Sequence, residues 1–585
     1  MSIYDYIVIG VYLAFMLALG PIYKSFSKTA SDFFRGGGGM LWWVVGSSSF
    51  MTQFSAWSFT GGAAKAYETG TFFLLLFICN LIATITCLIF TAHRFRQMRV
   101  ISPVEAIRNR FGASSEQIFT WLPIFFQMFF GGVMLYTISV FMSGVFGANM
   151  MLIILVLGAV TIVMTLLGGS WAATAGDFVQ MLIVITITMI MAALTLGHED
   201  IGGLSGLIEK MPSYHFEWTE FARPSVIIVF SVTLLINQIV FANSMQSGAI
   251  RYIFVKDGRD ARKSAWVSVL GFLLLPSIWI VPALGAAILF PELETMYPQL
   301  NNANEAAYVA IALELLPQGL LGLLVCGIFA ASLTSMNSLL NSFSASFVRN
   351  FYIRVVNKDA SELKQIFVGR MFILVYGLVW IVVAMLFSTI KSLQLFDLIL
   401  LASASLGLPA ALPMAMGMFI KKAPKWAGWS SMIAGFVASM ASRFLFTSDN
   451  LQAIWGQEAE LTARELGDLN IALTTGAVFL ATFLWFLFSM LFYGNSSSEY
   501  RKDVDKFFTE MNTPIDRSEE HEPEYEGDRR QYSVLSNLCL AYGVATLLLL
   551  AVPNDAQARG LILICGGVVV SVGWILRVIG RRIKN

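Results

Sequence analysis

Apolar runs of about twenty residues recur along almost the whole chain, and no other feature of the sequence restricts the fold so severely. Crossing roughly 30 Å of hydrocarbon takes about 20 apolar residues in a helix. Measured that way, runs lie near 4–22, 41–66, 71–92, 115–146, 149–168 and 170–196. Others follow near 224–250, 264–290, 317–347, 365–388, 394–420, 427–447, 468–493, 534–553 and 559–578, giving fifteen in all. With 57% hydrophobic and 13% charged residues, the 585-residue chain lies far from soluble composition, so an all-α integral membrane protein is expected. The first run lacks the basic start and small-residue cleavage site of a removable signal.

An odd number of spans puts the termini on opposite sides. Thirty-one of the 38 Lys and Arg fall in loops on one side, among them Arg94, Arg96, Arg99, Arg108, Arg110, Arg251, Lys256 and Lys421. The positive-inside rule makes that side cytoplasmic, with the N-terminus outside and the C-terminus inside a cytoplasmic membrane. A net charge of +1 gives no argument for nucleic acid. Cys79, Cys87, Cys326, Cys539 and Cys565 sit in apolar runs and read as small core residues, and four scattered histidines form no zinc cluster. The charged stretch 494–531 reads as a cytoplasmic linker, partly helical around 499–511. The outer loops 197–222 and 291–313 are acidic, with Glu305 among their carboxylates. None of these segments is large enough for an enzyme domain, so no enzymatic activity is expected.

Irregular backbone at membrane depth is tolerated only where protein or a water-filled cavity surrounds it. The run Gly46 to Gly62 is unusually rich in Ser, Thr, Gln and Gly. A break near Met51–Ser55 would free carbonyls as hard oxygen ligands for a small cation, and the half-helix beyond it would offer its positive N-terminus to a solute. Small-residue helix packing is the alternative. In 317–347, positions Ala331, Thr334, Ser335 and Ser338 share one helix face with Asn337 beside it. A hydroxyl stripe suits a monovalent ion, since no carboxylate cluster matches a divalent one; interhelical hydrogen bonding explains it equally well. Asp177 lies two turns into its span, where it would bind a cation, carry a proton or bond a neighbouring helix. Lys65, Glu68 and Asp397 lie near outer helix ends, where snorkelling accounts for them.

In this order and spacing, these segments resemble the sodium:solute symporter family, which includes sodium/glucose, sodium/proline and sodium/sialic acid transporters. Ser31-Asp32-Phe33-Phe34 with Trp42-Trp43, Ser102-Pro103-Val104-Glu105 through Gly112, Arg251-Tyr252 with Lys256-Asp257, and Gly327 through Tyr352 carry the likeness. The resemblance implies a leucine-transporter-type core of two inverted five-helix repeats. These would occupy 41–196 and 224–420, after a leading helix and loop at 1–40. Two further helices would follow at 427–493, the charged linker at 494–532 and a terminal hairpin at 533–585. It implies alternating access and Na+-coupled symport of a small organic solute into the cell, with Na+ as the co-transported ion, no organic cofactor, and the lipid bilayer as surroundings.

A shared sodium site would use the carbonyls of Met51, Phe54 and Ala331 and the hydroxyls of Thr334 and Ser335. A second sodium site, present in some members, would use Asp177, Thr334, Asn337 and Ser338. Where sugar-transporting relatives carry polar solute ligands, this chain has Ser58, Phe77 and Met245. Gln53, Trp57, Ser58, Phe77, Asn80, Asn243 and Gln246 would therefore line a site for a smaller, part-apolar solute. A proton-coupled symporter with Asp177 as carrier, and a solute-sensing transceptor signalling through 494–531, are the rival readings.

Overall fold

The structure, a computed structural model, describes all residues except 13–37, 55, 101–102, 168–169, 221, 246–248, 299, 391–394, 457–459, 516–523 and 584–585. Among the described residues the chain is helical, its one β-type contact being an isolated bridge between Met40 and Val255. The principal helices are α1 (Ile3–Tyr12), α2 (Trp42–Gln53), α3 (Leu74–Phe90), α4 (Ala113–Phe146), α5 (Met150–Leu167) and α6 (Ser170–Gly197). They continue as α7 (Pro224–Ala242), α8 (Gly258–Leu289), α9 (Leu320–Ser346), α10 (Glu362–Ser388), α11 (Leu395–Ala402) and α12 (Leu408–Phe419). Last come α13 (Ala427–Leu445), α14 (Ala463–Met490), α15 (Ser498–Asn512), α16 (Glu524–Leu547) and α17 (Ala556–Arg582).

Eleven of the described helical runs are long and apolar enough to cross a membrane. The fifteen expected segments differ from these mainly where a helix is short or interrupted. α1 is described only to Tyr12, α2 stops after 12 residues, and α5 and α13 have 18 and 19 residues. The expected single span at 224–250 is also interrupted: α7 ends at Ala242, and a separate short helix occupies Ala249–Tyr252. A π-helical turn at Ser403–Gly407 separates α11 from α12.

Burial separates centre from rim. The most apolar stretch of Leu320–Val356 is 94% buried within the protein, against 28% for Pro224–Ala242, so α9 is the central helix. α10 shows the opposite pattern: Leu363, Phe367, Val375, Leu378, Val382 and Leu386 are all exposed. With Met371, also exposed, their spacing of three and four residues makes a continuous apolar stripe, the surface a lipid-facing helix presents. Around α9, α2 and α6 pack on each other and on α8. At Gly46 the backbones of α2 and α8 approach so closely that a Cβ would lie 2.6 Å from the Ser264 carbonyl oxygen, which is why a glycine is needed there.

Polar side chains fasten loops between the helices to the segments that follow α14. α15 buries Tyr500, Val504, Phe507 and Met511 on one face. Buried Arg110 donates to the Tyr500 hydroxyl at 2.9 Å and to the Gly417 and Ile420 carbonyls at 3.0 and 2.7 Å. At the start of the terminal hairpin, Gln531 accepts from the Leu41 N–H at 3.1 Å and donates to the Gly39 carbonyl at 2.9 Å. Lys256 and Asp528 pair at 2.6 Å beside it. At the other end of the chain the buried Asp5 carboxylate accepts from the Gly319 and Gly322 N–H groups at 2.7 and 3.0 Å, capping α9.

Candidate functional site

The break in the first core helix begins with side chains that compete with the helix ladder. Ser47 donates to the Trp43 carbonyl and Thr52 to the Ser48 carbonyl, each at 2.8 Å. Such back-bonding weakens the ladder it touches. α2 ends at Gln53, Phe54 takes φ −110° and ψ 77°, and its N–H turns back to the Met51 carbonyl at 3.1 Å. Phe54 is pinned by its ring, which sits edge-on to Phe59 and Trp279 with centroids 5.4 and 6.0 Å away. The chain resumes helical geometry at Ala56 and enters a π-helical turn at Ser58–Gly62. The Ala56 N–H donates to Ser332 Oγ at 3.0 Å, so the broken segment is held directly against α9.

Along α9, Thr334 and Ser338 face α6. Thr334 donates to Asp177 Oδ1 and its hydroxyl lies 3.1 Å from the Ala331 carbonyl. Ser48 of α2 donates to Asp177 Oδ2. Asp177 is thus a junction of α2, α6 and α9 at 1% exposure. Met51, Phe54, Ala331, Thr334 and Ser335 are all buried, the first two at the break and the other three on α9. Asn337 points elsewhere, accepting from Thr165 of α5 at 2.5 Å. The guanidinium of Arg251 enters the same junction, bonding Thr52, Thr174, Asp177 and Ser338.

Arg251, Ser48 and Ser332 are the residues that reading the sequence did not single out for this site. Ser48 and Ser332 lie inside runs already marked as polar for a span. Arg251 carried no such signal, because it stands in a stretch of charges that reads as an ordinary cytoplasmic loop.

The residues expected to line a solute site divide into two groups. Trp57 stacks on Phe396 at 5.9 Å and 17°, and Phe77 packs edge-on to Phe73 and Trp279 at 5.5 and 5.7 Å. Trp57 Nε1 and Ser58 Oγ are buried and have no hydrogen-bond partner. Buried donors are normally satisfied, so these two, like Trp279 Nε1 in the same wall, are open polar positions among the aromatics. A small pocket of about 10 Å3, room for little more than one water, adjoins this wall, bounded by Lys65, Phe73, Leu76, Phe230, Phe396 and Asp468.

Lys65 does not snorkel: it is 7% exposed, 3.7 Å from Asp397, with its ammonium over the Phe396 ring at 5.3 Å. Asn80 and Asn243 stand apart from the aromatics. Asn80 donates to the Leu76 carbonyl of its own helix. Asn243 donates to Thr86 and the Ile239 carbonyl and accepts from Thr91, which ties the end of α7 to the end of α3. The Gln53 side chain and Gln246 lie outside the described residues.

Residues 33–435 match the model of the sodium:solute symporter family. The sodium/sialic acid symporter SiaT of Proteus mirabilis is 23% identical over 453 residues, covering 75% of this chain and 89% of that protein. The sodium/myo-inositol cotransporter 2 of Oryctolagus cuniculus is 28% identical over 488 residues, covering 74% and 69%. Among solved structures, a Na+-coupled sialic acid symporter in a substrate-bound outward-open state superposes with a TM-score of 0.65 at 20% identity, over 85% of this chain and 98% of that one. Mhp1, a nucleobase-cation-symport-1 family transporter in a closed conformation, gives 0.52 at 13% identity, over 81% and 98%.

Proposed function

We propose a mechanism from one premise: the chain belongs to the sodium:solute symporter family and is a secondary active transporter that couples a small organic solute to Na+. The working part is the break at Phe54 lying against the hydroxyl stripe of α9. Na+ is held there by the carbonyls of Met51, Phe54 and Ala331 and the hydroxyls of Thr334 and Ser335. The Met51 carbonyl accepts from the Phe54 N–H at the break, and the Ala331 carbonyl lies 3.1 Å from the Thr334 hydroxyl, so these oxygens cluster at the two elements. Because the ligands come from two elements, α2 and α9, any motion that separates them lowers the affinity for Na+. That difference in affinity between two conformations is what couples the ion gradient to the solute.

Both proposed repeats, 41–196 and 224–420, begin with a helix that breaks, after Gln53 and after Ala242. Paired discontinuous helices at a repeat interface are the pattern of alternating-access transporters. This supports a leucine-transporter-type core, with the fifteen segments as spans and inward transport across the cytoplasmic membrane from an outer N-terminus. The solute lies beside the break. Trp57, Phe77 and Phe396 cover its apolar part, and Trp57 Nε1 and Ser58 Oγ meet its polar part. Asn243, with its amide engaged on both sides, holds the second break in register.

The observation that carries the reading is the 3.0 Å bond from Ala56 N–H to Ser332, which places the broken backbone on the hydroxyl-bearing helix. Thermal unfolding of the purified protein in Na+, K+ and choline tests it. Na+ alone should raise the transition, and Thr334→Ala should remove most of that rise. Equal transitions in all three salts would refute sodium coupling, and acceleration of uptake by low external pH would favour protons instead.

A further inference from the structure

The open polar atoms in the aromatic wall can all donate. Trp57 Nε1, Ser58 Oγ and Trp279 Nε1 are buried without a hydrogen-bond partner. Each carries a hydrogen, and an indole nitrogen has no lone pair to accept one in return. Shared rings bring them together: Phe73 lies 6.2 Å from Trp57 and 5.4 Å from Trp279, and Phe396 stacks on Trp57. A charged donor reaches the same wall. The Lys65 ammonium sits over the Phe396 ring and makes no hydrogen bond among the described residues, since Asp397 Oδ1 is 3.7 Å away.

A solute fits where its polar atoms complement these donors. Hydroxyl, amide and ammonium groups bring hydrogens of their own, which the wall's side chains would leave buried and unaccepted, at a cost for each. A carboxylate accepts at both oxygens and brings no hydrogen. Charge points the same way. Asp177, Asp397 and Asp468 each already face a cation, Arg251, Lys65 and Arg464 at 3.4, 3.7 and 3.5 Å. None of them is left over for a Na+ at the break, and an unbalanced buried charge is costly. We infer that the co-transported solute is a small monocarboxylate with an apolar body. Its carboxylate is received by the indole and hydroxyl donors, its body lies on the rings, and Lys65 selects for its charge. Na+ and solute then enter as a neutral pair. The inference names the solute class of the site already described and rests on the sodium-coupled reading above.

Thermal unfolding of the purified full-length protein tests this, with butanoate and phenylacetate as probes. Each is titrated beside its amide and the corresponding amine, with glucose and myo-inositol as further comparisons. At least one carboxylate should raise the transition in Na+ and not in K+, and none of the comparison compounds should. Lys65→Gln should shift the concentration needed upward by about tenfold or more, the loss expected for a contact to a charged group. Trp57→Phe and Trp279→Phe, which keep a ring and remove the donor, should each shift it in the same direction. A merely structural Lys65 would lower the transition of Lys65→Gln and leave the concentration dependence unchanged, which would overturn the proposal. If Lys65→Gln fails to fold, unchanged titrations of both tryptophan variants would overturn it. A rise with a sugar, an amine or an amide, or with neither carboxylate, would also overturn it. No rise with Na+ alone would instead overturn the sodium-coupled reading on which the proposal stands.

Discussion

The Ser332 hydroxyl takes the Ala56 N–H at 3.0 Å while donating its own proton to the Ile328 carbonyl at 2.9 Å. One side chain of the central helix thereby satisfies the Ala56 amide, where helical geometry resumes after the break. Ser332→Ala leaves that buried N–H unpaired, a loss of about 1–3 kcal/mol. Thermal unfolding should show the drop, together with weaker stabilisation by Na+. Ser332→Thr, which keeps the hydroxyl, should recover most of both.

Glu305, between α8 and α9, gives the protein a pH dependence. It lies in the loop before α9 at 2% exposure, with its carboxylate accepting from the Leu395 N–H at 3.2 Å. Burial pushes its pKa up to about 8; the Leu395 N–H opposes the shift and Glu68 adds to it. A carboxyl with a raised folded pKa holds its proton more tightly when folded. Its contribution to stability is therefore complete at pH below the ordinary carboxylate range and is lost as pH rises toward about 8. The unfolding temperature of wild type should fall between pH 5 and pH 8, and Glu305→Gln should flatten that slope.

Asp5 acts as the N-terminal cap of α9 although it belongs to another helix, 314 residues away in sequence. Its carboxylate meets two amides where the helix dipole is positive. Asp5→Ala should lower stability by about 1–2 kcal/mol, and Asp5→Asn, which retains one acceptor oxygen, by less. Unfolding measured on the three proteins side by side checks the order.

Gln531 holds both the Gly39 carbonyl and the Leu41 N–H, and Tyr532 accepts from Trp43 Nε1 at 3.4 Å. Replacing Gln531 by Ala should speed amide hydrogen exchange at Leu41 by about tenfold or more, the effect expected when a bond of roughly 1.4 kcal/mol is lost. Exchange within α10, far from this contact, should stay as it was. Equal protection of Leu41 in both proteins would show that the side chain does not hold the backbone.

The spans were legible because hydropathy acts locally: a run of twenty apolar residues announces itself wherever it folds. The first break was legible for the same reason, since Ser47, Ser48, Thr52 and Gln53 are poor company for a lipid-facing helix. Asn243, Ser244, Gln246, Ser247 and Gly248 form a similar polar run, and it was overlooked because the apolar residues on either side fill out a convincing span. Arg251 and Lys65 were misread for a different reason. A charge near a span end is normally solvated, and only the fold brings acceptors from three helices to Arg251 and an aromatic ring to Lys65. Glu305 follows the same logic, an acid in an acidic loop that the tertiary structure happens to enclose.

The clamp at Gln531 also has a consequence in time. The chain is made from its N-terminus, and Gln531 emerges 490 residues after the backbone amide it fastens. At roughly 5–20 residues per second, that interval is about half a minute to a minute and a half. During it, the start of α2 is already made, its neighbours α6, α8 and α9 follow one by one, and this latch is still missing. The terminal hairpin thus closes on the start of α2, a segment made long before it.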